Sequence, residues 1–186
     1  MDLFDLVGNQ IGAYKFLKII GAGNLAVTFL AEDVILKRHV VIKLYRKEVT
    51  SFTQFRKNFL EEAKILEKIK HPNIVEVYAG LLDDAKGIFG FVIEYVEGES
   101  LTNLSRKKGR LPLHTAIKIA IQIARGPSYA HTVHKIVHCD LKPSNIIIRK
   151  DGVVKLIDFN ISHFIGSTTH LQVATVAGTP AYMAPE

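Results

Sequence analysis

The chain has 186 residues, of which 48% are hydrophobic, so it is long enough to bury a core in one domain or two small lobes. Its net charge of +6 comes from scattered basic residues, and the one dense basic run, at residues 106–108, is typical of a solvated helix end, so we expect no nucleic-acid partner. The single cysteine excludes an internal disulfide framework. The sequence shows neither a secretory signal nor a membrane-spanning apolar run. We therefore expect a cytoplasmic chain with no membrane segment.

Short β-branched and aromatic runs in the first half of the chain predict an antiparallel sheet. These runs cover residues 14–20, 27–31, 40–45, 74–81 and 88–95. An apolar residue recurs every three or four positions from Phe55 to Ile69, which predicts a helix that ends before Pro72. Residues 97–100 resemble a linker because they combine glycine with polar side chains.

The second half of the chain begins with a long apolar segment, residues 114–134. This segment is apolar nearly all round, which predicts a buried helix at the centre of a second lobe. Pro127 predicts a kink in that helix, because proline removes one hydrogen bond and clashes with the preceding turn. Two further strands, at 146–148 and 153–157, are predicted on either side of a turn.

A polar motif follows the long helix and resembles the catalytic loop and metal-binding turn of protein kinases. It consists of His138, Cys139, Asp140, Leu141, Lys142, Pro143, Ser144 and Asn145, followed after an apolar stretch by Asp158, Phe159 and Asn160. The resemblance implies that Asp140 is the catalytic base and that Lys142 stabilises the γ-phosphate of ATP. It also implies that Asn145 and Asp158 bind Mg²⁺.

A second resemblance covers the nucleotide half of such a site. The segment 21–28 resembles the kinase glycine-rich loop, with Ala26 in place of its third glycine. The resemblance implies that the nucleotide is contacted by Ile20, Gly21, Ala22, Gly23 and Asn24. Glycines in a hairpin are usually turn residues, so this motif alone is weak. In the family pattern Lys43 contacts the α- and β-phosphates and Glu62 forms an ion pair with it, although each taken alone is a plausible surface charge.

The adenine pocket is also assigned by the resemblance. Thr28 and Val41 stand where the family has valine and alanine, which predicts weaker nucleotide affinity because they change the polarity and volume of the pocket. Ile93 would lie at the back of the pocket. Glu94 and Val96 would contribute main-chain contacts to the adenine.

Two further positions depart from the family pattern. Cys139 replaces an arginine that pairs with a phosphorylated activation loop, so we expect any activity to be independent of loop phosphorylation, although Thr168, Thr169 and Thr175 remain available for modification. A redox role for Cys139 is the weaker alternative, because a neighbouring carboxylate disfavours the thiolate. Asn160 replaces a glycine, and asparagine tolerates a positive φ better than most residues.

Taken together, the motifs resemble the serine/threonine protein kinases, and bacterial members most of all. The resemblance implies an α+β, two-lobed fold. Residues 1–13 are then an N-terminal extension, 14–96 an N-terminal lobe of antiparallel sheet with one helix, and 97–186 a partial C-terminal lobe. Because the segment ending in Glu186 normally precedes several more helices, we expect a fragment of a longer kinase, with apolar surface exposed over 114–134 and a loosened Asp140.

The implied function is transfer of the γ-phosphate of ATP, with Mg²⁺, to serine or threonine hydroxyls of protein substrates. One alternative is a non-catalytic nucleotide-binding module or scaffold. The expected truncation would suit it, and so would the joint departures from the family pattern at Ala26, Thr28, Pro127, Cys139 and Asn160. Another is a truncated product without independent function.

Overall fold

The structure is a computed structural model, and it describes residues 2–50, 53–83, 86–158 and 179–182. These residues form two compact units. The first holds the described residues up to Lys68 together with Glu76–Tyr95, and the second holds Ile69–Val75 and the described residues from Val96 onward. None of the helices in the described part of the chain combines the length and apolar character needed to cross a membrane.

A six-stranded antiparallel sheet forms the first unit, with strand order β1-β2-β3-β4-β6-β5. Its strands are β1 (Gln10–Ile11), β2 (Tyr14–Ala22), β3 (Ala26–Asp33), β4 (Arg38–Tyr45), β5 (Val77–Asp83) and β6 (Ile88–Glu94). The predicted strands are all present. β5, however, begins at Val77, since Ile74 instead bridges Leu156 in the second unit.

Alternation of side chains along β4 separates the two faces of this sheet. Val40, Ile42 and Leu44 are fully buried and belong to the main hydrophobic core, with Phe16 and Phe29 in edge-to-face contact within it. The intervening residues of β4 are only half-buried and lie on the opposite face. That second face carries the predicted phosphate-binding lysine.

Two helices, α1 (Lys47–Thr50) and α2 (Thr53–Leu66), follow β4. The apolar periodicity that predicted α2 is explained by an aromatic cluster between this helix and the sheet. Its members are Tyr45, Phe55, Phe59, Phe89 and Phe91, with ring centroids 4.7–6.3 Å apart. The cluster fixes α2 against the half-buried face of the sheet.

Residues 1–13, predicted as an extension, contribute to the first unit. A 3-10 turn at Leu3–Leu6 places Leu6 in the core with 2% of its surface exposed, and β1 pairs with the start of β2. No sequence pattern indicated this packing, because one buried leucine shows no periodicity.

In the second unit, a small antiparallel sheet packs with two helices. The sheet contains β7 (Gly98–Ser100), β8 (Ile146–Arg149) and β9 (Val154–Leu156), and the helices are α3 (Leu101–Lys108) and α4 (Leu113–His134). Ile119 of α4 packs with Ile146, Val154 and Leu156 in its core. The basic run at 106–108 forms the last turn of α3, as predicted.

The linker predicted at residues 97–100 is wrong, because Gly98–Ser100 forms strand β7 and pairs with β8. Gly98 allows this pairing: a Cβ there would lie 2.6 Å from the Ile148 carbonyl oxygen. A glycine that looked like a flexible joint is instead required for close backbone approach.

Helix α4 matches the predicted bounds and continues through Pro127, so the predicted kink stays a prediction. Its burial is one-sided, however. Ile119, Gly126 and Ala130 are buried, whereas Leu113, Ile117 and Ile121 are 76%, 49% and 47% exposed. The helix is therefore not buried all round, and apolar surface is exposed in the segment where we expected it.

Gly90 offers a direct test of the sheet packing. A Cβ at this position would collide with the carbonyl oxygen of Lys43 and lie 2.6 Å from Leu44 Cδ2, so we expect Gly90→Ala to destabilise the first unit by about 1–3 kcal/mol. Gly80→Ala, on the neighbouring strand, is the matched control, because its Cβ would meet only ordinary contacts at 3.7 Å or more. Urea unfolding would measure both variants, and equal midpoints would contradict the packing described.

Candidate active site

The segment His138–Asn145 lies between α4 and β8, and backbone hydrogen bonds fix its C-terminal end. A 3-10 turn at Pro143–Asn145 is closed by the Asn145 N–H, which donates to the Lys142 carbonyl oxygen at 2.9 Å. The Ile157 N–H donates in turn to the Asn145 carbonyl oxygen at 2.9 Å. This places the loop next to the backbone that leads into Asp158.

The carboxylate of Asp140 is the centre of a hydrogen-bonded cluster on this loop. Lys142 Nζ lies 2.7 Å from Asp140 Oδ2, and the Thr179 hydroxyl donates to Asp140 Oδ1 at 2.7 Å. Lys142 Nζ also donates to Thr179 Oγ1 at 2.8 Å. Asn145 Nδ2 donates to the Asp140 carbonyl oxygen at 2.9 Å and to Oδ2 at 3.2 Å. Three predicted site residues, Asp140, Lys142 and Asn145, are thus brought together.

This cluster controls the charge of Asp140. Burial alone raises the pKa of its carboxyl, whose side chain is 10% exposed, but hydrogen bonds from Lys142, Thr179 and Asn145 and the charge of Lys142 outweigh that effect. The net result is a pKa below the ordinary value for aspartate. Asp140 is therefore ionised at neutral pH and can accept a proton or a hydrogen bond.

His138 is a buried support of the loop. Its Nε2 donates to the Ile157 carbonyl oxygen at 3.1 Å, and its Nδ1 accepts from the Asp140 N–H at 3.3 Å. Burial lowers the pKa of the imidazole despite the Ile157 bond and the nearby charges of Asp158 and Asp140. A neutral ring satisfies both bonds, because one nitrogen must donate and the other accept.

Two residues of the site have a left-handed backbone. Cys139 has φ of 60° and Asp158 has φ of 64°, a region that L-residues other than glycine adopt at some cost. Burial raises the pKa of the Cys139 thiol. A raised pKa favours an unreactive thiol over a redox role. Its cause is burial, and not the neighbouring carboxylate on which the sequence-based expectation rested.

The predicted glycine-rich loop lies in the first unit as the hairpin between β2 and β3. Gly21 pairs with Thr28 and Ala22 with Val27, and the Gly23 N–H donates to the Ala26 carbonyl oxygen at 2.9 Å. Neither glycine has a positive φ, and a Cβ on Gly21 or Gly23 would approach other atoms no closer than 3.7 Å. The fold itself therefore does not require glycine at either position, unlike ordinary turn glycines.

The register of the sheet aligns the predicted nucleotide residues on one face. Lys43 pairs with Thr28 on one side and with Phe91 on the other, and Val41 pairs with Leu30 and Ile93. Thr28, Val41 and Lys43 are all half-buried on the face opposite the main core. Lys43 and the two residues predicted to line the adenine pocket thus share a half-buried face of the first unit.

The remaining predicted residues are placed as follows. Ile20 is 48% exposed near the end of β2, Asn24 lies at the hairpin tip and Val96 lies between β6 and β7. Glu94 ends β6, and its N–H donates to the Glu76 carbonyl oxygen at 2.8 Å. Glu62 lies on α2, three residues after Phe59, but its side chain is outside the described residues, as are Asn160 and the three threonines predicted as modification sites.

Sequence reasoning missed the part played by Thr179. This residue was visible only as one letter of the segment before Pro180, and nothing in its spacing indicated that its hydroxyl would bridge Asp140 and Lys142. The supporting role of His138 was not predicted either, although this residue belongs to the motif. Both act through contacts across 19 to 39 residues, which no local pattern reveals.

The control of Asp140 by its neighbours leads to a titration experiment. We expect Lys142→Met to raise the pKa of Asp140, because burial remains while the adjacent cation is lost. Lys150→Met is the matched control, since Lys150 forms an ion pair of the same 2.7 Å length with Glu97 but on an exposed surface. Carbon-detected NMR of the aspartate carboxyl groups would follow the titration. The same Asp140 pKa in both variants would contradict the described cluster.

Comparison with known proteins agrees with these observations. The family model described as "Protein kinase domain" matches residues 14–186. Serine/threonine-protein kinase PrkC of Bacillus subtilis is 38% identical over 182 residues, covering 97% of this chain and 28% of PrkC. Serine/threonine-protein kinase PknA of Corynebacterium glutamicum is 36% identical over 186 residues, covering 98% of this chain and 39% of PknA. The chain thus spans well under half the length of these relatives.

Solved structures show the same fold. The crystal structure of the Mycobacterium tuberculosis PknI kinase domain aligns with a TM-score of 0.67 at 23% identity, covering 84% of this chain and 63% of that chain. The predicted kinase-like α+β fold is confirmed, and so is the resemblance to bacterial serine/threonine kinases. Sequence motifs, family model and fold all lead to one conclusion: the chain belongs to the protein kinase family.

Proposed function

We propose that this chain transfers the γ-phosphate of ATP to serine or threonine hydroxyls of protein substrates. The observation that carries the proposal is the ionised Asp140 carboxylate, which already accepts a hydrogen bond from a threonine hydroxyl at 2.7 Å. A substrate hydroxyl is chemically the same donor. Asp140 would orient it and accept its proton as the phosphate is transferred.

Lys142 would stabilise the moving phosphoryl group. Its ammonium is held 2.7 Å from the catalytic carboxylate, so the cation needs no reorganisation at the moment of transfer. The support from Thr179 limits the rotamers of this flexible side chain.

Asn145 and Asp158 would hold Mg²⁺. Both hydrogens of the Asn145 amide point to Asp140, so its Oδ1 atom is the group left to act as a ligand. An amide oxygen and a carboxylate suit this hard cation, which is usually held by one or two protein oxygens together with substrate phosphates. When bound, the ion would neutralise charge on the β- and γ-phosphates.

The first unit would bind the nucleotide. The hairpin backbone at Gly21 and Gly23 would approach the phosphates, with Lys43 as the cation for the α- and β-phosphates. Glu94 would contact the adenine through its carbonyl oxygen, because its N–H is already bonded to Glu76. Since the chain has a single cysteine, which suits a reducing compartment, we place this activity in the cytoplasm.

A transfer assay tests the proposal. With radiolabelled ATP and Mg²⁺, we expect phosphorylation of serine- or threonine-containing proteins, and we expect Asp140→Asn to reduce the rate roughly 100-fold or more, because the general base is lost. Asp151→Asn is the matched control: it removes an aspartate of the same unit whose side chain is 50% exposed and whose ion pair with Arg149 lies outside the cluster.

Two results would oppose the proposal. A wild-type chain that binds ATP without transferring phosphate would favour the non-catalytic alternative. Equal rates for Asp140→Asn and wild type would remove Asp140 from the catalytic role.

A further inference from the structure

Arg46 makes three contacts that join the tip of the glycine-rich hairpin to the N-terminal segment. Its backbone N–H donates to the Leu25 carbonyl oxygen at 2.9 Å, which extends the β3–β4 pairing by one residue. Its side-chain Nε donates to the Gly23 carbonyl oxygen, also at 2.9 Å. Its guanidinium carbon lies 5.5 Å from the centroid of the Phe4 ring. One arginine therefore holds the hairpin tip at two carbonyl groups while stacking on a residue far away in sequence.

Phe4 is fixed in place by the fold around it, although its own ring is not a core residue. It lies on the 3-10 turn Leu3–Leu6, and its own N–H donates to Asp2 Oδ1 at 3.0 Å. Leu6 anchors the turn in the core, and the Gly8 N–H donates to the Phe16 carbonyl oxygen at 2.8 Å. The Phe4 ring itself is 44% exposed, so burial in the core does not account for its position.

We propose that Arg46 is a positioning residue for nucleotide binding and that Phe4 holds it, so that the N-terminal segment sets the affinity of the glycine-rich hairpin for MgATP. The inference rests on the proposed function of that hairpin. Glycines give the tip of the hairpin freedom that a ligand must remove on binding. An arginine that holds the Gly23 carbonyl beforehand reduces this ordering cost, which is the usual benefit of pre-organisation.

We assign Arg46 a role through the loop because its Nε holds the Gly23 carbonyl oxygen and its guanidinium carbon lies over the Phe4 ring. A cation lying on an aromatic ring at this distance is attracted by the negative face of the ring. Removing the ring should free the arginine and, through it, the hairpin tip. The sheet core would be unaffected, because neither side chain belongs to it.

Two measurements on the full chain test the inference. The first is hydrogen–deuterium exchange of residues 21–26 without nucleotide, which we expect to accelerate in Phe4→Ala and Arg46→Met while exchange in β4 and β6 is unchanged. The second is the MgATP dissociation constant. We expect this dissociation constant to rise about 2- to 5-fold in Phe4→Ala, which is the range for loss of an exposed cation–π contact. We expect it to rise on the order of tenfold in Arg46→Met, because a charged hydrogen bond is lost as well.

Control variants separate this role from a general loss of stability. Val7→Ala removes a neighbouring apolar side chain that is 41% exposed, close to the 44% of Phe4, and Lys47→Met removes an exposed cation next to Arg46. Neither should change the exchange of the hairpin or the dissociation constant. Phe4→Trp keeps an aromatic face and should restore both values. The double variant Phe4→Ala, Arg46→Met should be no worse than Arg46→Met alone, since Phe4 acts only through the arginine.

The possible outcomes distinguish this inference from the proposed function. If hairpin exchange accelerates in Phe4→Ala but the wild-type chain binds no MgATP, the proposed function fails. Only the structural connection from Phe4 through Arg46 to the hairpin would then remain. If the wild type binds MgATP and both variants bind it equally well, the positioning role is overturned. Additive effects in the double variant would overturn the link through Arg46.

Discussion

The catalytic half of the chain depends on one interaction, the contact of the Asp140 carboxylate with the Lys142 ammonium at 2.7 Å. A carboxylate removed from water is stable only with a compensating positive charge and hydrogen bonds, and the ammonium of a neighbouring lysine likewise requires a negative charge and hydrogen-bond acceptors. Thr179 and Asn145 complete that requirement by donating to the same carboxylate. The cluster is thus stable as a set, and removing one member leaves Asp140 with fewer compensating contacts.

This arrangement is accompanied by backbone strain at two residues of the site. Cys139 and Asp158 both adopt a left-handed conformation, which the surrounding structure must enforce. His138 supplies part of that constraint: it is 3% exposed and connects the Asp140 N–H to the Ile157 carbonyl oxygen, next to the two strained positions. In the first unit, a different constraint acts at Gly90: because this residue has no side chain, β6 can approach the backbone of Lys43 closely.

Much of this structure could be predicted from local patterns. A β-branched run indicated β4, and three- and four-residue spacing indicated α2 and its apolar face. The motif around Asp140 identified the residues that meet there. The sequence did not reveal β7, because a glycine that permits close pairing looks the same as one that permits flexibility. Nor did it reveal the contacts of Thr179 and Arg46, whose partners are distant in sequence.

The proposed mechanism requires that the loop around Asp140 orients its carboxylate toward a hydroxyl group and leaves the Asn145 amide oxygen for a metal. A crystal structure of the chain with Mg²⁺, a non-hydrolysable ATP analogue and a serine peptide tests it most directly. We predict Asn145 Oδ1 at about 2.0–2.1 Å from the ion, which is the usual Mg²⁺–oxygen distance. We also predict the serine hydroxyl within hydrogen-bond distance of Asp140. An ion bound without Asn145, or a hydroxyl remote from Asp140, would contradict the account.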